Sequence, residues 1–410
     1  MLLVLAGVVF ALFRGGDGTV IRPPTPPESS QDEGVTSKED AAGELLTELV
    51  AALDDGTRRE VVALAAPGSP SARRAAGTLF ANVRALDVRN LALRYVDEDG
   101  SALSAAEQRD LGPRAWVADV EMTWKVAGFD RGLSEMDVSL TFVPTPDGVR
   151  LGSTAGDHGN PAPLWLLGRV AVAKSPRTLV MTTDPSRLDH YARLARRAVA
   201  AVAQVLPRWR EELVVEVPRS QEELNRVLDA EPGAYSSIAA VTSTVDGSLS
   251  PSSPAHILVN PEVFAKLGQE GAQIVMSHEA AHVATDAAVS TMPLWLLEGF
   301  GDYVALAHAG LPVELTASQI LEQVREQGPP RALPGPEEFD PSNRILGASY
   351  ESAWLAARLV AEKYGEARLI EFYRRVDDGM PIDRAFEQVL GTDEPTFTRE
   401  WQDYLRDLAQ

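Results

Sequence analysis

The sequence predicts an α+β protein in which two folded units follow an N-terminal tail. From residue 40, apolar residues at helical spacing are followed by segments of period two up to residue 153. A second set of strand-like segments, up to residue 259, is followed by a mostly helical C-terminal part. A segment rich in Gly, Asn and Pro lies between the two sets. We therefore expect domains at 40–157 and 176–410, joined by a connector at 158–175.

The composition excludes several classes of function. The 410 residues carry a formal net charge of −21, and such a surface repels phosphate backbones, so we expect no nucleic-acid partner. The chain has no cysteine, which excludes disulfides, thiolate catalysis, Cys-ligated zinc and an acylated lipoprotein cysteine. Secretion is not excluded, because a large domain folds without covalent cross-links. The oligomeric state is left open.

The N-terminal tail has the composition of a targeting segment followed by a linker. Residues 1–13 contain no polar side chain. They are shorter than the roughly 20 residues that span a bilayer, but they suit the apolar core of a signal peptide or signal anchor. No basic residue precedes them, so a buried N-terminal helix is the alternative. Residues 14–39, rich in Pro, Ser, Gly and acids, predict a solvated linker. We expect a membrane-anchored or secreted protein whose folded part lies outside the cytoplasm.

The first domain combines helices with an antiparallel sheet. Its predicted elements are helices at Ala41–Leu53, Arg58–Ala65 and Ser71–Val83, then strands at Val88–Val96, Ala115–Val126, Glu135–Phe142 and Gly148–Ser153. This order of elements resembles the NTF2-like cone fold. No cluster of acids and histidines marks an active site here, so we interpret the domain as a binding or spacing unit.

The second domain contains a motif typical of zinc hydrolases. His278 and His282 are four residues apart in a segment of good helix formers, so they share one helical face and can converge on one ion. Glu279 is rotated by about 100° from His278, so it flanks the metal and can take the proton of a metal-bound water. This is the H-E-x-x-H arrangement.

A third ligand is available on the next predicted helix. A hydrolytic zinc site uses three protein ligands and one water, and Glu298 follows His282 by sixteen residues. A helix starting near Leu294, antiparallel to the first, would bring Glu298 to the metal. Asp302, four residues further on the same face, can accept the second N–H of a ligand histidine and fix its tautomer.

These residues resemble those of the gluzincin branch of zinc metallopeptidases, the peptidase MA-like group. The resemblance covers about residues 176–410 and rests on HEAAH at 278–282 and WLLEGFGDY at 295–303. It implies a thermolysin-type fold, with a mixed sheet followed by helices, and Ala255–Asn260 as the edge strand that pairs with substrate. It also implies Zn²⁺ as cofactor and a peptide or protein as substrate.

The same resemblance implies a role for each candidate residue. His278, His282 and Glu298 would be the zinc ligands, Glu279 the general base and Asp302 the partner of a ligand histidine. Tyr350 is the nearest match for the residue that stabilises the oxyanion, with Tyr364 and Tyr373 as alternatives.

Three functions remain open at this point. A Gly-x-Met-Glu-Asn motif, which anchors the substrate amino terminus in gluzincin aminopeptidases, is absent before His278. An endopeptidase is therefore favoured over an aminopeptidase. The alternatives are a zinc-binding, non-catalytic scaffold that acts through partner binding, and a metal-dependent hydrolase of another bond. The long Pro-rich loop Gly328–Leu346 is a candidate lid over the cleft.

Overall fold

Two β-sheets and their helices make up the part of the chain that the computed structural model describes, residues 37–154, 160–210, 212–340 and 343–410. The fold is mixed α+β, with 50% helix and 18% strand, as the sequence predicts. The predicted anchor 1–13 and most of the linker 14–39 lie outside the described residues. The first helix begins at Lys38, so the linker ends earlier than predicted. In the described ranges, no helix has both the length and the apolar character needed to cross a membrane.

The first sheet is an antiparallel meander with helices packed against it. Its strands pair in chain order, and apolar side chains from the sheet and the helices form one core. The elements are α1 (Lys38–Asp54), α2 (Arg58–Ala63), α3 (Pro70–Leu86), β1 (Val88–Asp99), α4 (Ala105–Leu111), β2 (Trp116–Val126), β3 (Ser134–Thr145) and β4 (Gly148–Ser153). The predicted three helices and four strands are confirmed, whereas α4 was not predicted.

The second sheet is mixed and has five strands in the order β5-β6-β7-β9-β8. The pairs β6–β7 and β7–β9 are parallel, and the two outer pairs are antiparallel. The elements are α5 (Leu164–Leu167), β5 (Ala171–Lys174), β6 (Thr178–Thr182), α6 (Leu188–Val205), β7 (Leu213–Val217), α7 (Gln221–Val227), β8 (Ala240–Thr244) and β9 (Ala255–Val259).

Two sequence-based expectations are wrong in this sheet. The segment 158–175, predicted as a connector, contains α5 and the sheet strand β5, which pairs with β6. The segment Ala255–Asn260, predicted as the edge strand, forms β9, which lies between β7 and β8. The edge next to β9 is therefore β8. The apolar sequence of β9 suits its interior position, because an interior strand is covered on both faces.

The rest of the described chain is mostly helical, as predicted. They are α8 (Pro261–Phe264), α9 (Gln269–Ala284), α10 (Leu294–Leu306), α11 (Val313–Thr316), α12 (Ser318–Gln327), α13 (Leu346–Tyr364), α14 (Glu366–Asp377), α15 (Ile382–Ala385) and α16 (Glu394–Leu408), with a π-helical turn at Phe386–Leu390. Most of their apolar faces join one large core with α6 and one face of the second sheet.

The strands β6 and β7 of the second sheet are buried on both faces. Val180 and Val215 point into the core that holds the C-terminal helices. Leu179, Met181 and Val214, which alternate with them, point into the core formed by the first sheet and its helices. This double burial explains why Leu179–Met181 in β6 and Leu213–Val215 in β7 are apolar in succession rather than in alternation.

A buried histidine links the two sheets. On β9, His256 Nδ1 lies 2.7 Å from Glu216 Oε1 on β7. Its Nε2 lies 3.0 Å from Asp130 Oδ1, in the connection between β2 and β3. Both ring nitrogens therefore face carboxylates, and His256 is only 3% exposed. Burial disfavours the charged ring, but the two carboxylates outweigh this and raise the pKa of His256 to about 9.

We expect the free energy of unfolding to depend on His256 at alkaline pH. The folded pKa lies above the ordinary 6.5, so the contribution is complete below pH 6.5 and is lost as the pH rises through about 9. It amounts to about 3 kcal/mol. Urea unfolding between pH 6 and 10 should show this loss in the wild type and not in His256→Gln. The exposed His308→Gln is the control, and parallel pH profiles for wild type and His256→Gln would contradict the assignment.

Candidate functional site

Two consecutive helices carry the candidate site. Helix α9 contains His278, Glu279 and His282 in its last turns and ends at Ala284. Asp286, with φ of 52°, adopts the left-handed conformation that turns the chain away from the helix. After Pro293 the chain begins α10, which carries Glu298 and Asp302 and packs against α9. The helix starting near Leu294 is thus confirmed, and it faces the histidine helix.

Three side chains converge between the two helices. His278 Nε2 and His282 Nε2 lie 2.8 Å apart. Glu298 Oε2 lies 3.2 Å from the first nitrogen and 3.4 Å from the second. Each of the three residues is about 1% exposed. Among the described residues, only this set has three donor atoms close enough to hold a metal ion.

The donor set fits zinc. Ligands bound at about 2.0–2.1 Å in a tetrahedron stand about 3.3 Å from one another. The two distances from Glu298 Oε2 lie close to this value, whereas the 2.8 Å between the two imidazole nitrogens is shorter. Two imidazoles and one carboxylate are a typical donor set of catalytic zinc, in which a fourth position is left for water or substrate. Without a cation, this arrangement would bury a carboxylate and two imidazole nitrogens against one another.

Asp302 fixes the orientation of His278. Its Oδ1 accepts a hydrogen bond of 2.8 Å from His278 Nδ1. Because a carboxylate can only accept, the proton of the neutral ring stays on Nδ1 and the lone pair of Nε2 points at the donor cluster. This is the contact that the sequence predicted for Asp302, and it makes Nε2 a better ligand.

The pKa values of the three groups are shifted in different directions. Burial opposes the charge on Glu298, but His282 and the hydrogen bonds with both imidazoles lower its pKa to about 2. Burial also disfavours charged histidine, yet Asp302 and Glu298 raise the pKa of His278 well above its usual value. His282, buried beside His278, has a lowered pKa. A metal ion at His278 Nε2 would compete with a proton for the same lone pair.

Two glycines in α10 allow the close approach of its neighbours. A Cβ on Gly299 would lie 2.3 Å from the carbonyl oxygen of Ala353 on α13. A Cβ on Gly301 would lie 2.9–3.1 Å from three atoms of the His278 ring. The glycines of the sequence EGFGD are thus needed for helix packing and for the position of the His278 ring.

We expect Gly301→Ala to weaken zinc binding while the fold is retained. The added methyl group must displace the His278 ring by a few tenths of an ångström, and the ring is held by Asp302. A loss of about 10–100-fold in zinc affinity follows from the effect of such neighbours elsewhere. Competition with a chromophoric chelator measures it. Gly271→Ala on α9, where the Cβ would meet its nearest neighbour at an ordinary 3.8 Å, is the control; equal affinities for both variants would contradict this role.

Glu279 follows His278 on α9, and among the described residues only one of its two carboxyl oxygens has a hydrogen-bond partner. Its Oε2 accepts a hydrogen bond of 2.7 Å from Thr242 Oγ1 on β8. Its Oε1 is buried and has no hydrogen-bond partner among the described residues. Burial disfavours the charged form and raises the pKa of Glu279 to about 8, although His278 and Thr242 act in the opposite direction. The carboxyl is therefore suited to bind and release a proton near neutral pH.

Of the three candidate tyrosines, Tyr350 lies at the site. Its ring centroid is 6.4 Å from that of His278. Burial, with the charges of Glu298, Asp302 and Glu279, raises its pKa well above the usual value, so the hydroxyl keeps its proton. Tyr373 instead donates to Thr285, and Tyr364 lies beside Lys363.

The Pro-rich loop reaches this tyrosine. Phe339 packs edge-on against Tyr350, with ring centroids 5.1 Å apart. Residues 341 and 342 of the loop lie outside the described residues, and the lid remains a prediction.

Sequence reasoning missed Thr242 and the roles of Gly301 and His256. Nothing in the sequence around Thr242 distinguishes it from other strand threonines. The second glycine of EGFGD was a usable signal, because a helix interior disfavours glycine unless close packing requires it. No family model matches the chain, and the search of curated proteins gives no match.

Proposed function

We propose that this protein is a zinc-dependent metallopeptidase that cleaves peptide bonds within a chain. The observation that carries the proposal is the convergence of His278, His282 and Glu298 on one point. Glu279 follows His278 in the chain and has one buried carboxyl oxygen without a hydrogen-bond partner among the described residues. Three ligands would leave one coordination position for water or substrate, as hydrolytic zinc sites do.

Each residue of the site would have a separate role in hydrolysis. Zinc in this site would lower the pKa of a water molecule to about 7 and polarise a carbonyl. Glu279 takes the proton of the attacking water and delivers it to the leaving amine. Tyr350, protonated and next to His278, is the donor that would stabilise charge on the carbonyl oxygen. Asp302 keeps His278 in the tautomer that binds metal.

The finer description of the fold belongs to the same proposal. The mixed sheet followed by helices, with the histidine helix against the edge strand β8, supports a gluzincin-like unit in residues 176–410. The helices and four-stranded sheet before it support an NTF2-like unit in residues 40–157. This unit would bind a partner or act as a spacer. With the apolar residues 1–13, we propose a membrane-anchored or secreted enzyme acting outside the cytoplasm on peptides or proteins.

One experiment tests the proposal. The purified full-length chain is assayed for bound metal and incubated with a library of end-blocked peptides, with and without a chelator. We expect one zinc per chain and internal cleavage that the chelator stops and added zinc restores. One zinc without any cleavage would favour the non-catalytic scaffold, and a chain that binds no zinc would overturn the ligand assignment. Cleavage of free-amine peptides alone would indicate an aminopeptidase.

A further inference from the structure

We propose that Thr242, on the edge strand β8, is a positioning residue that holds Glu279 in the orientation needed for proton transfer. The inference rests on the proposed function and adds to it a residue outside the two metal-binding helices. It assigns to the edge strand the task of holding the general base. The evidence is the geometry between one hydroxyl and one carboxyl group.

The contact is short, buried and directed at one oxygen. Thr242 Oγ1 lies 2.7 Å from Glu279 Oε2 and 3.1 Å from the main-chain oxygen of the same residue. Thr242 is 1% exposed and Glu279 is fully buried, so water does not compete for the contact. The other oxygen, Oε1, has no hydrogen-bond partner among the described residues.

This arrangement directs the proton to one oxygen. A hydroxyl has one proton, and the shorter, charge-assisted bond to Oε2 is the stronger of its two choices. The proton of the attacking water is then received at Oε1: an O–H bond of water breaks and the Oε1–H bond forms. Oε2 continues to accept from Thr242 as a carbonyl oxygen. The same proton then leaves Oε1 as an N–H bond forms on the leaving amine.

The strand gives the hydroxyl a fixed position. β8 pairs with β9 over its whole length, and Thr242 is paired with Ile257. The β-branched side chain of threonine has few χ1 choices. Because Glu279 lies on α9 and Thr242 on the sheet, the contact fixes the carboxyl relative to the sheet as well as to its own helix.

The test compares four full-length proteins: the wild type, Thr242→Val, Thr242→Ser and Thr244→Val. Valine keeps the shape of threonine and removes the hydroxyl, whereas serine keeps the hydroxyl. Thr244 is the matched control, because it is a threonine of the same strand whose hydroxyl donates to the main-chain oxygen of Ser248. For each protein, kcat and KM for a cleaved peptide, bound zinc and the thermal midpoint are measured. Crystal structures of the wild type and Thr242→Val supply the position of the Glu279 carboxyl.

For Thr242→Val we expect kcat to fall by about 10–100-fold, the range seen when a neighbour of a catalytic group is removed. KM and zinc content should stay within about twofold, and the Glu279 carboxyl should be rotated or occupy more than one position. Thr242→Ser should recover most of kcat, and Thr244→Val should resemble the wild type.

The outcomes separate this inference from the proposed function. A wild type that cleaves peptides, with a Thr242→Val variant of equal kcat, would overturn the inference and leave the function intact. If kcat falls equally in Thr242→Val and Thr244→Val, or if Thr242→Val also loses its zinc, the threonine has a packing role. Either result would also overturn the inference. If the wild type cleaves nothing, the proposed function fails and the catalytic role of Thr242 fails with it. If the Glu279 carboxyl has the same position in the crystals of the wild type and of Thr242→Val, Thr242 does not position it, whatever the kinetics show.

Discussion

Glu279→Gln is expected to lose peptide cleavage while it keeps its zinc. Glutamine has the size of glutamate, and its amide oxygen can accept the hydrogen bond that Thr242 donates to Oε2. The amide nitrogen then stands where Oε1 stands, and it cannot take a proton from water. Loss of a general base costs about 10²–10⁴-fold in rate, so kcat should fall by that amount with one zinc still bound.

The same variant has a second, independent readout. Burial raises the pKa of Glu279 to about 8, above the ordinary 4.5, so ionising this group opposes folding. In the metal-free protein, the protonated form of Glu279 favours the folded state. Its contribution to the free energy of unfolding is complete below pH 4.5 and is lost as the pH rises through about 8. Glutamine does not ionise. Metal-free Glu279→Gln should therefore unfold at a higher temperature than the metal-free wild type at pH 9, measured by calorimetry.

A control on the same helix distinguishes chemistry from general charge effects. Glu270 is an exposed acid in the first turn of α9. Glu270→Gln removes one carboxylate from the helix at a distance from the donor cluster and should retain wild-type kcat. Wild-type turnover by Glu279→Gln, with zinc bound, would disprove the proposed role of this residue as general base.

The candidate site was predictable because its parts are encoded locally. The spacing of His278 and His282 fixes their common face on any helix, and the break at Ser290–Pro293 fixes where the next helix starts. Glu298 and Asp302 then share a face of that helix by the same rule. The structure brings all five of the predicted acidic and histidine residues together, which local periodicity alone did not require.

What the sequence could not predict depends on contacts between distant segments. The order of strands in a sheet depends on chain crossings, so β9 was mistaken for the edge when β8 takes that position. Strand β5 is four residues long, too short for its period to be recognised. Thr242 and Glu279 are 37 residues apart, and Asp130 and His256 are 126 apart. No local pattern marks such pairs.

Glu298→Gln is expected to lose tight zinc binding, and this variant tests the ligand that sequence spacing supports least directly. Glu298 Oε2 lies within 3.4 Å of both imidazole nitrogens, and its lowered pKa keeps it ionised. An amide oxygen has no negative charge to offer a divalent ion. We therefore expect the zinc affinity to fall by at least the 10–100-fold that loss of an outer-shell partner causes, and activity to fall with it.

The thermal stability of Glu298→Gln should show the same loss of zinc binding. A ligand that binds only the folded state stabilises it by about 4 kcal/mol when its concentration is 1,000 times Kd. Added zinc should thus raise the unfolding midpoint of the wild type by several degrees and shift that of Glu298→Gln much less, as measured by differential scanning fluorimetry over a zinc titration.

The chain offers a matched control for this experiment. Glu351 on α13 is also buried, and its carboxylate accepts from the backbone N–H of Ile320 and from the side chain of Gln319. Glu351→Gln removes a buried carboxylate outside the donor cluster, so this variant should keep the zinc-dependent shift of the midpoint. A full zinc-dependent shift in Glu298→Gln would show that the carboxylate is not a ligand. Because the two histidines occupy only two positions, the third protein ligand would then have to come from another residue beside them.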